Sequence, residues 1–259
     1  MTPMPTSSLL AWLPVWQRNF LVWRKLALPA ILGHLADPMI YMLGLGYGLG
    51  NLLPSLDGGQ SYVAFLAGGI ICSSTMNAAT FEALYSAFSR MHVQKTWEAI
   101  LNTPLGLADV LMGELTWAAT KSLISGAAIL AVVFALGLTQ GSLLLWALPA
   151  IVLTGLAFAA LGLIWNALAP SYDFFMYYFT LFITPMTLIS GVFFPSEQLP
   201  GWLAVLGTWL PLAQGVALVR PLLNGQVPPD ILTPVLTLLA LTVVSYGIAL
   251  KLTRRRLMK

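Results

Sequence analysis

Long apolar runs separated by short polar stretches set the pattern of this sequence. A helix needs about 20 mainly apolar residues to cross the hydrocarbon core of a bilayer, and six runs meet that length. The runs lack the alternation of barrel strands, and lipid cannot satisfy the backbone of open strands. The pattern predicts an all-α integral membrane protein with six transmembrane helices, over about 30–53, 62–87, 111–137, 143–168, 174–194 and 231–252.

A mixed segment precedes the first run. Residues 9–28 combine aromatic and aliphatic side chains with Arg18, Arg24 and Lys25, which lie towards the end of the segment. The segment is too polar to span a bilayer, whereas an amphipathic helix of this composition lies in the membrane interface. We therefore expect an N-terminal interfacial helix, with an extension of the first span as the alternative.

The stretch before the last run, residues 196–226, contains two apolar pieces. Pro200, Pro211 and Pro221 interrupt it, and each piece is shorter than a transmembrane helix requires. Proline ends helices because it lacks an amide donor and clashes with the preceding turn. We expect two re-entrant helices on the extracellular side of the membrane; a loose extracellular loop is the alternative.

A polar segment with helical periodicity, residues 89–103, joins the second and third runs. Its apolar side chains fall on one stripe: Val93, Trp97, Ile100 and Leu101. Pro104 then ends the helix before the third run. Helices that lie on lipid favour a strongly basic polar face, but here Lys95 is offset by Glu98. The pattern therefore favours a helix that docks in a protein groove, with Trp97 as its anchor, over a helix on the lipid surface.

Composition and charge add a class and an orientation. The chain is 58% hydrophobic and 8% charged, whereas soluble domains carry about 25% charged residues. Basic residues mark the cytoplasmic side of membrane proteins. Of the 12 Lys and Arg residues, Lys121 falls within the third run and Arg220 on the opposite side from the termini. The other ten share the side of both termini, which we therefore place in the cytoplasm: Arg18, Arg24, Lys25, Arg90, Lys95, Lys251, Arg254, Arg255, Arg256 and Lys259.

Ionisable residues in or beside the apolar runs are the main candidates for function, because a charge in the bilayer is costly and needs a partner or a wet cavity. His34 and Asp37 are three residues apart and share one helix face. Glu114 and Lys121 are nearly two turns apart, and Glu82 lies near the end of the second run. We expect these groups to form pairs within the bundle, Glu114 with Lys121 or each with a neighbouring helix. A substrate pathway and a proton relay are the alternatives.

Aromatic residues crowd the start of the fifth run, which reads YDFFMYYF from residue 172 to 179. An interfacial aromatic belt accounts for such a cluster. Contact with sugar rings or lipid of a substrate is the alternative role for four of them: Tyr172, Phe175, Tyr177 and Tyr178.

The sequence offers no motif for catalysis, metal binding or nucleotide binding. It lacks the GxxxxGK[ST] loop that cradles nucleotide phosphates and the HExxH zinc motif, and its two histidines are far apart. We therefore predict no catalytic residue and no metal site, and we expect any energy from ATP to come through another subunit. A membrane enzyme acting on lipid is the weaker reading.

Four segments then suggest a family. The segments WEAILNTPLGLADVLMGELTWAATKS, TGLAFAALGLIWNALAPSYDFF and SGVFFPSEQLP, the last followed by LPLAQGVALVRPLLNG, resemble ABC-2 type exporter permeases, most closely the nodulation protein J family of lipo-oligosaccharide export permeases. The resemblance runs from about Tyr62 to Gly225 and is weaker at both ends. Gln214 stands where that family leads us to expect histidine, which argues against a titratable role at this position.

The resemblance implies a partner and a cargo. Two copies of the chain would join two separate ATP-binding subunits, which hold ATP and Mg, in a bacterial inner membrane and in contact with its lipid. Residues 89–103 would be the coupling helix that contacts the ATPase through Arg90, Val93, Lys95, Trp97, Glu98, Ile100 and Leu101.

The expected cargo is an amphiphile such as a lipo-oligosaccharide or a glycolipid, with no role for nucleic acid. Efflux of a hydrophobic drug or antibiotic is the main alternative. An ion-coupled secondary transporter would instead use His34, Asp37 and Glu114 directly.

Overall fold

The computed structural model describes residues 10–50, 61–139 and 142–257, and their regular structure is entirely helical. The prediction of an all-α integral membrane protein is confirmed. We number the helices in chain order: α1 Leu13–Arg24, α2 Ala27–Gly50, α3 Tyr62–Val93, α4 Thr96–Leu101, α5 Leu107–Ala135, α6 Ala147–Leu168, α7 Phe174–Ile189, α8 Gly201–Trp209, α9 Pro211–Leu223 and α10 Leu232–Leu257.

Within the described residues, five helices are long and apolar enough to cross a membrane: α2, α3, α5, α6 and α10. The predicted fifth span is shorter than expected, because α7 ends at Ile189 rather than at residue 194. At about 1.5 Å per residue it is about 24 Å long. Gly191 follows with a positive φ of 71°, a left-handed conformation that ends a helix and that glycine adopts without strain.

Other helix ends extend beyond the apolar runs. Helix α3 continues to Val93 and α10 to Leu257, while α5 begins at Leu107. Charged residues at these ends are paired or exposed, so the helix can continue past the apolar core. The N-terminal helix is shorter than residues 9–28, since α1 covers Leu13–Arg24. Residue 9 and residues 51–53 of the predicted first span lie outside the described residues.

The centre of the bundle is formed by α3, α5 and α6, with α10 packed along α6. Small residues allow these helices to approach closely. A Cβ atom built on Gly162 of α6 would lie 2.7 Å from the Cβ of Ala83 in α3. Helices α2 and α10 lie at the edge of the bundle, and most of their surface is exposed. Those exposed faces are free to contact lipid or another chain.

The predicted helix over residues 89–103 is wrong in its extent. Residues Ser89–Val93 form a π-helical turn that completes α3, which also contains a π-helical turn at Glu82–Ser86. Lys95 then adopts a left-handed conformation, with φ 51°, and turns the chain into the separate, six-residue helix α4. A non-glycine residue with positive φ is uncommon, and sequence periodicity does not reveal it.

Helices α8 and α9 meet at an angle of 81°, where the sequence predicts a break. Pro211 occupies the first turn of α9, the one helical position where its missing amide costs little. Arg220 fixes α9 to its neighbours: Nε donates to the Phe65 carbonyl at 3.2 Å and Nη2 to the Gly191 carbonyl at 2.6 Å. Its guanidinium also lies 3.7 Å from the centre of the Phe65 ring. Each of these two helices alone is too short to cross the membrane.

Candidate functional site

Four charged side chains meet inside the protein, in what we call the charge cluster. Glu82 and Arg90 come from α3, and Glu114 and Lys121 from α5. Glu82 and Glu114 are each only 2% exposed. A buried charge must be paired and hydrogen-bonded to be tolerated. The two carboxylates balance the two cations, so the cluster is electrically neutral.

Arg90 joins the two carboxylates. Its Nη2 donates to Glu82 Oε1 at 2.7 Å, and its Nε donates to Glu114 Oε1 at 2.8 Å and to Oε2 at 3.1 Å. Nη2 also donates to Glu114 Oε2. The planar guanidinium suits this arrangement because it presents several donors in fixed directions, which a lysine cannot do.

Lys121, which lies two helical turns after Glu114 on α5, completes the cluster. Its Nζ lies 2.8 Å from Glu82 Oε2. The structure thus assigns each of the two α5 charges a partner on α3, and the predicted direct pair between Glu114 and Lys121 is not present. The physical reason is distance: Glu114 has Arg90, and Lys121 has Glu82, on the neighbouring helix within hydrogen-bond distance.

Neutral donors from three helices saturate the carboxylates. Trp97 Nε1 of α4 donates to Glu114 Oε1 at 3.0 Å, and Asn19 Nδ2 of α1 donates to Glu114 Oε2 at 3.3 Å. Trp117 Nε1 of α5 donates to Glu82 Oε1 at 2.9 Å. The cluster therefore connects α1, α3, α4 and α5 through hydrogen bonds to two carboxylates.

Two residues predicted to contact an ATPase lie inside the protein instead. Trp97 is 1% exposed and Arg90 is also buried, because both bond to Glu114. The expectation that Trp97 anchors a partner's groove is therefore wrong. Ile100 and Leu101 are half-buried against the core. The outward face of this region includes Val93, which is 65% exposed, and the exposed side chains of Lys95 and Glu98, whose charged atoms are 4.0 Å apart.

Helix α1 packs directly on this region. Arg18 donates to Asn19 Oδ1 at 3.0 Å and to Thr96 Oγ1, at the start of α4, at 3.3 Å. Burial, followed by the like charge of Arg90, lowers the pKa of Arg18. Trp16 Nε1 donates to Thr120 Oγ1 of α5 at 2.9 Å. Sequence reasoning missed Asn19; the signal was its position on one helix face among the aromatic residues of α1, which marks that face as buried.

A polar groove lies between α2, α3 and α7, with a volume of about 530 Å³. His34 and Asp37 line it together, as their spacing predicts. The opposite walls add hydroxyl and amide groups: Ser73, Ser74 and Asn77 from α3, and Thr184 and Thr187 from α7. The groove offers hydrogen-bond donors and acceptors at a second place in the bundle, apart from the charge cluster.

The aromatic cluster divides between core and surface. Phe175 and Tyr178 are buried, and the Phe175 ring lies 5.1 Å from Tyr85 and 5.3 Å from Phe88. Burial argues against direct substrate contact by these two residues. Tyr177 and Tyr172 are exposed and remain at the surface of the bundle.

Comparison with known proteins places the chain in a family. A family model described as ABC-2 type transporter matches residues 11–223. The chain belongs to the ABC-2 type transporter family. Proteins of this family are membrane transport subunits and generally work with a separate ATP-binding subunit. The helices and the family together make this chain a multi-pass membrane protein.

Curated relatives extend the similarity over the whole chain. Nodulation protein J of Rhizobium leguminosarum bv. trifolii is 49% identical over 258 residues, which cover 100% of this chain and 98% of that protein. Nodulation protein J of Rhizobium leguminosarum bv. viciae is 50% identical over 250 residues, or 96% of each chain. The Inner membrane transport permease YadH of Escherichia coli (strain K12) is 27% identical over 193 residues, covering 73% of this chain and 70% of that protein. The resemblance is therefore not confined to residues 62–225.

Proposed function

We propose that this chain is the permease subunit of an ATP-driven exporter that moves an amphiphile, such as a lipo-oligosaccharide or glycolipid, across a bacterial inner membrane. Family membership and the similarity to Nodulation protein J support the assignment. The observation that carries the mechanism is the charge cluster, because it bonds the segment between α3 and α5 to the membrane helices.

We define residues 93–101 as the coupling segment. Its exposed face, Val93, Lys95 and Glu98, is the surface offered to the ATP-binding subunit. An exposed apolar side chain beside two charges can supply a buried contact and fix its register by charged hydrogen bonds. Displacement of this segment by the ATPase would pull on Trp97, whose indole bonds to Glu114, and so on α3 and α5.

The polar groove is our candidate for the path of the substrate's headgroup. His34 and Asp37 lie on α2 at the edge of the bundle, so a headgroup could enter from the side while its acyl chains stay in lipid. A second copy of the chain against α2 would close the groove and separate it from the bilayer. The similarity to ABC-2 permeases supports a 2+2 complex of two permeases and two ATPases, and the basic residues support a cytoplasmic position for both termini of each permease.

Reconstitution with the partner ATPase tests the proposal. Val93→Asp and Glu98→Lys change the exposed face without touching the charge cluster, and we expect both to lose partner binding and ATP-driven glycolipid export. Arg24→Glu, a charge reversal at an exposed residue of α1, is the matched control and should retain both. Wild-type export by Val93→Asp and Glu98→Lys would contradict the docking assignment.

The same vesicles separate the competing functions. Export that stops without ATP supports the ATPase-coupled mechanism, whereas export driven by a proton gradient alone would identify a secondary transporter. ATP-driven movement of a hydrophobic dye with no movement of a fluorescent glycolipid would identify a drug exporter.

A further inference from the structure

The outer face of α10 changes from apolar to basic along a single exposed stripe. Its upper part carries Val243, Val244, Gly247 and Ile248, and its lower part carries Lys251, Arg254 and Arg255, all of them exposed. These positions recur at intervals of three and four, so they share one helix face. From residue 243 to residue 255 the stripe is about 18 Å long, which is comparable to the depth of one bilayer leaflet.

The three basic side chains of this stripe have no ionic partner in the described part of the chain. The cations of the ion pairs there are Arg90, Lys95 and Lys121. Arg256 in the same basic run is used differently. Its Nη1 donates to the carbonyls of Asn166 at 3.1 Å and Ala167 at 2.9 Å, and so satisfies the C-terminal end of α6. Arg256 therefore stabilises the end of α6, whereas Lys251, Arg254 and Arg255 face outward.

A shallow, open groove of about 610 Å³ lies along the lower part of this stripe, and its lining residues all belong to α10: Gly247, Leu250, Lys251, Arg254 and Arg255. A Cβ atom built on Gly247 would have no heavy atom within 4 Å, so the glycine leaves the groove open next to the basic residues. The groove thus joins the apolar part of the stripe, at Gly247 and Leu250, to its cationic end.

We propose that this groove is a binding site for an anionic phospholipid of the surrounding leaflet. The phosphate would lie between Lys251, Arg254 and Arg255, and an acyl chain would follow the apolar stripe past Gly247. Charge complementarity argues for this ligand, since basic clusters next to a transmembrane helix attract anionic headgroups. The site is separate from the charge cluster and from the polar groove, and it does not depend on the proposed export activity.

Native mass spectrometry of the purified full-length chain tests the site, with phosphatidylglycerol and phosphatidylcholine of identical acyl chains as probes. We expect the wild type to prefer phosphatidylglycerol. Each basic residue near an anionic surface contributes about fivefold in affinity, so Arg254→Gln/Arg255→Gln should weaken phosphatidylglycerol binding about 25-fold and leave phosphatidylcholine binding unchanged. The matched control is Arg24→Gln/Lys25→Gln, which removes two exposed charges at the C-terminal end of α1 and should change the affinity by less than about twofold.

A thermal shift gives a second readout. Phosphatidylglycerol should raise the Tm of the wild type and of the control, because a ligand that binds only the folded state stabilises it, and it should not raise the Tm of Arg254→Gln/Arg255→Gln. Equal losses in the two double variants would show ordinary attraction to basic surface and overturn the site. A change from dimer to monomer in Arg254→Gln/Arg255→Gln, without any phosphatidylglycerol preference in the wild type, would overturn it in favour of an interface between copies.

Discussion

At the scale of single residues, Arg90 determines whether the charge cluster is stable, because it bonds both carboxylates. Sequence reasoning identified Glu82, Glu114 and Lys121, since a charge within an apolar run needs a partner. It placed Arg90 on the surface, because the apolar run ends before it. Burial of Arg90 follows from the extension of α3 beyond that run, which apolar length alone does not reveal.

Loss of Arg90 should therefore be among the most destabilising substitutions in the chain. Arg90→Met leaves Glu82 with Lys121 alone and the buried Glu114 without its ionic partner, and breaking a buried ion pair in this way costs about 3–5 kcal/mol. Arg90→Lys keeps the charge but not the fork of donors, so it should lie between the wild type and Arg90→Met. The measurement is the Tm of the detergent-purified protein, with exposed Lys95→Gln as the control. A Tm of Arg90→Met equal to that of the wild type would show that the cluster does not stabilise the fold.

Trp97 offers a second test at this scale. Trp97→Phe keeps the ring and removes the N–H that donates to Glu114, and a hydrogen bond to a charged group contributes about 1.5–3 kcal/mol. We expect a lower Tm for Trp97→Phe. Trp202→Phe changes a tryptophan that is 68% exposed and should leave the Tm within about 1 °C of the wild type. Equal changes in Tm for the two substitutions would show that the Trp97 indole N–H does not stabilise the fold.

At the scale of helices, the ion pairs connect α3 to α5. The apolar runs predicted where the long helices lie, because length and hydrophobicity are enough for that. They did not predict the two π-helical turns of α3 or the left-handed Lys95, which depend on tertiary contacts. The periodicity of residues 89–103 indicated helix correctly over α4, but it could not show that the Trp97 side chain turns inward to a carboxylate on another helix.

A double-mutant cycle distinguishes the observed pairing from the one that sequence spacing suggested. Glu82→Gln and Lys121→Met should each lower the free energy of unfolding, and the double variant should lose less than the sum of the two, with a coupling energy of about 0.5–3 kcal/mol. The cycle of Glu114→Gln with Lys121→Met should give a smaller coupling energy, since these two residues do not bond directly. A larger coupling for the second cycle would contradict the pairing in the structure.

At the scale of the whole molecule, the distribution of basic residues supports the proposed orientation, on which the proposed function depends. The charge cluster and the basic end of α10 lie on the proposed cytoplasmic side, while α8 and α9 lie on the other.

The family and the membrane class could be predicted from sequence because they depend on composition and motifs spread along the chain. The inward turn of Trp97 and the connection of α1 to Glu114 could not, because they depend on contacts between residues about 17 and 95 positions apart.

Labelling with an impermeant thiol reagent tests this orientation in intact spheroplasts. A cysteine at the exposed Gln226, after α9, should react, and a cysteine at the exposed Gln94 should react only after the membrane is opened. The native Cys72 is buried and should not react with the reagent, so the wild type serves as the background control. Reaction at Gln94 from outside would reverse the assignment of both faces.

The central claim is that the charge cluster transmits movement of the coupling segment to the membrane helices. Its most direct test is the amount of substrate exported per ATP hydrolysed, in vesicles that contain the permease and its ATPase. Arg90→Lys leaves the exposed face of the coupling segment intact, so we predict wild-type partner binding, continued ATP hydrolysis and a reduced export ratio. An export ratio equal to that of the wild type, with the ATPase bound and active, would contradict the account.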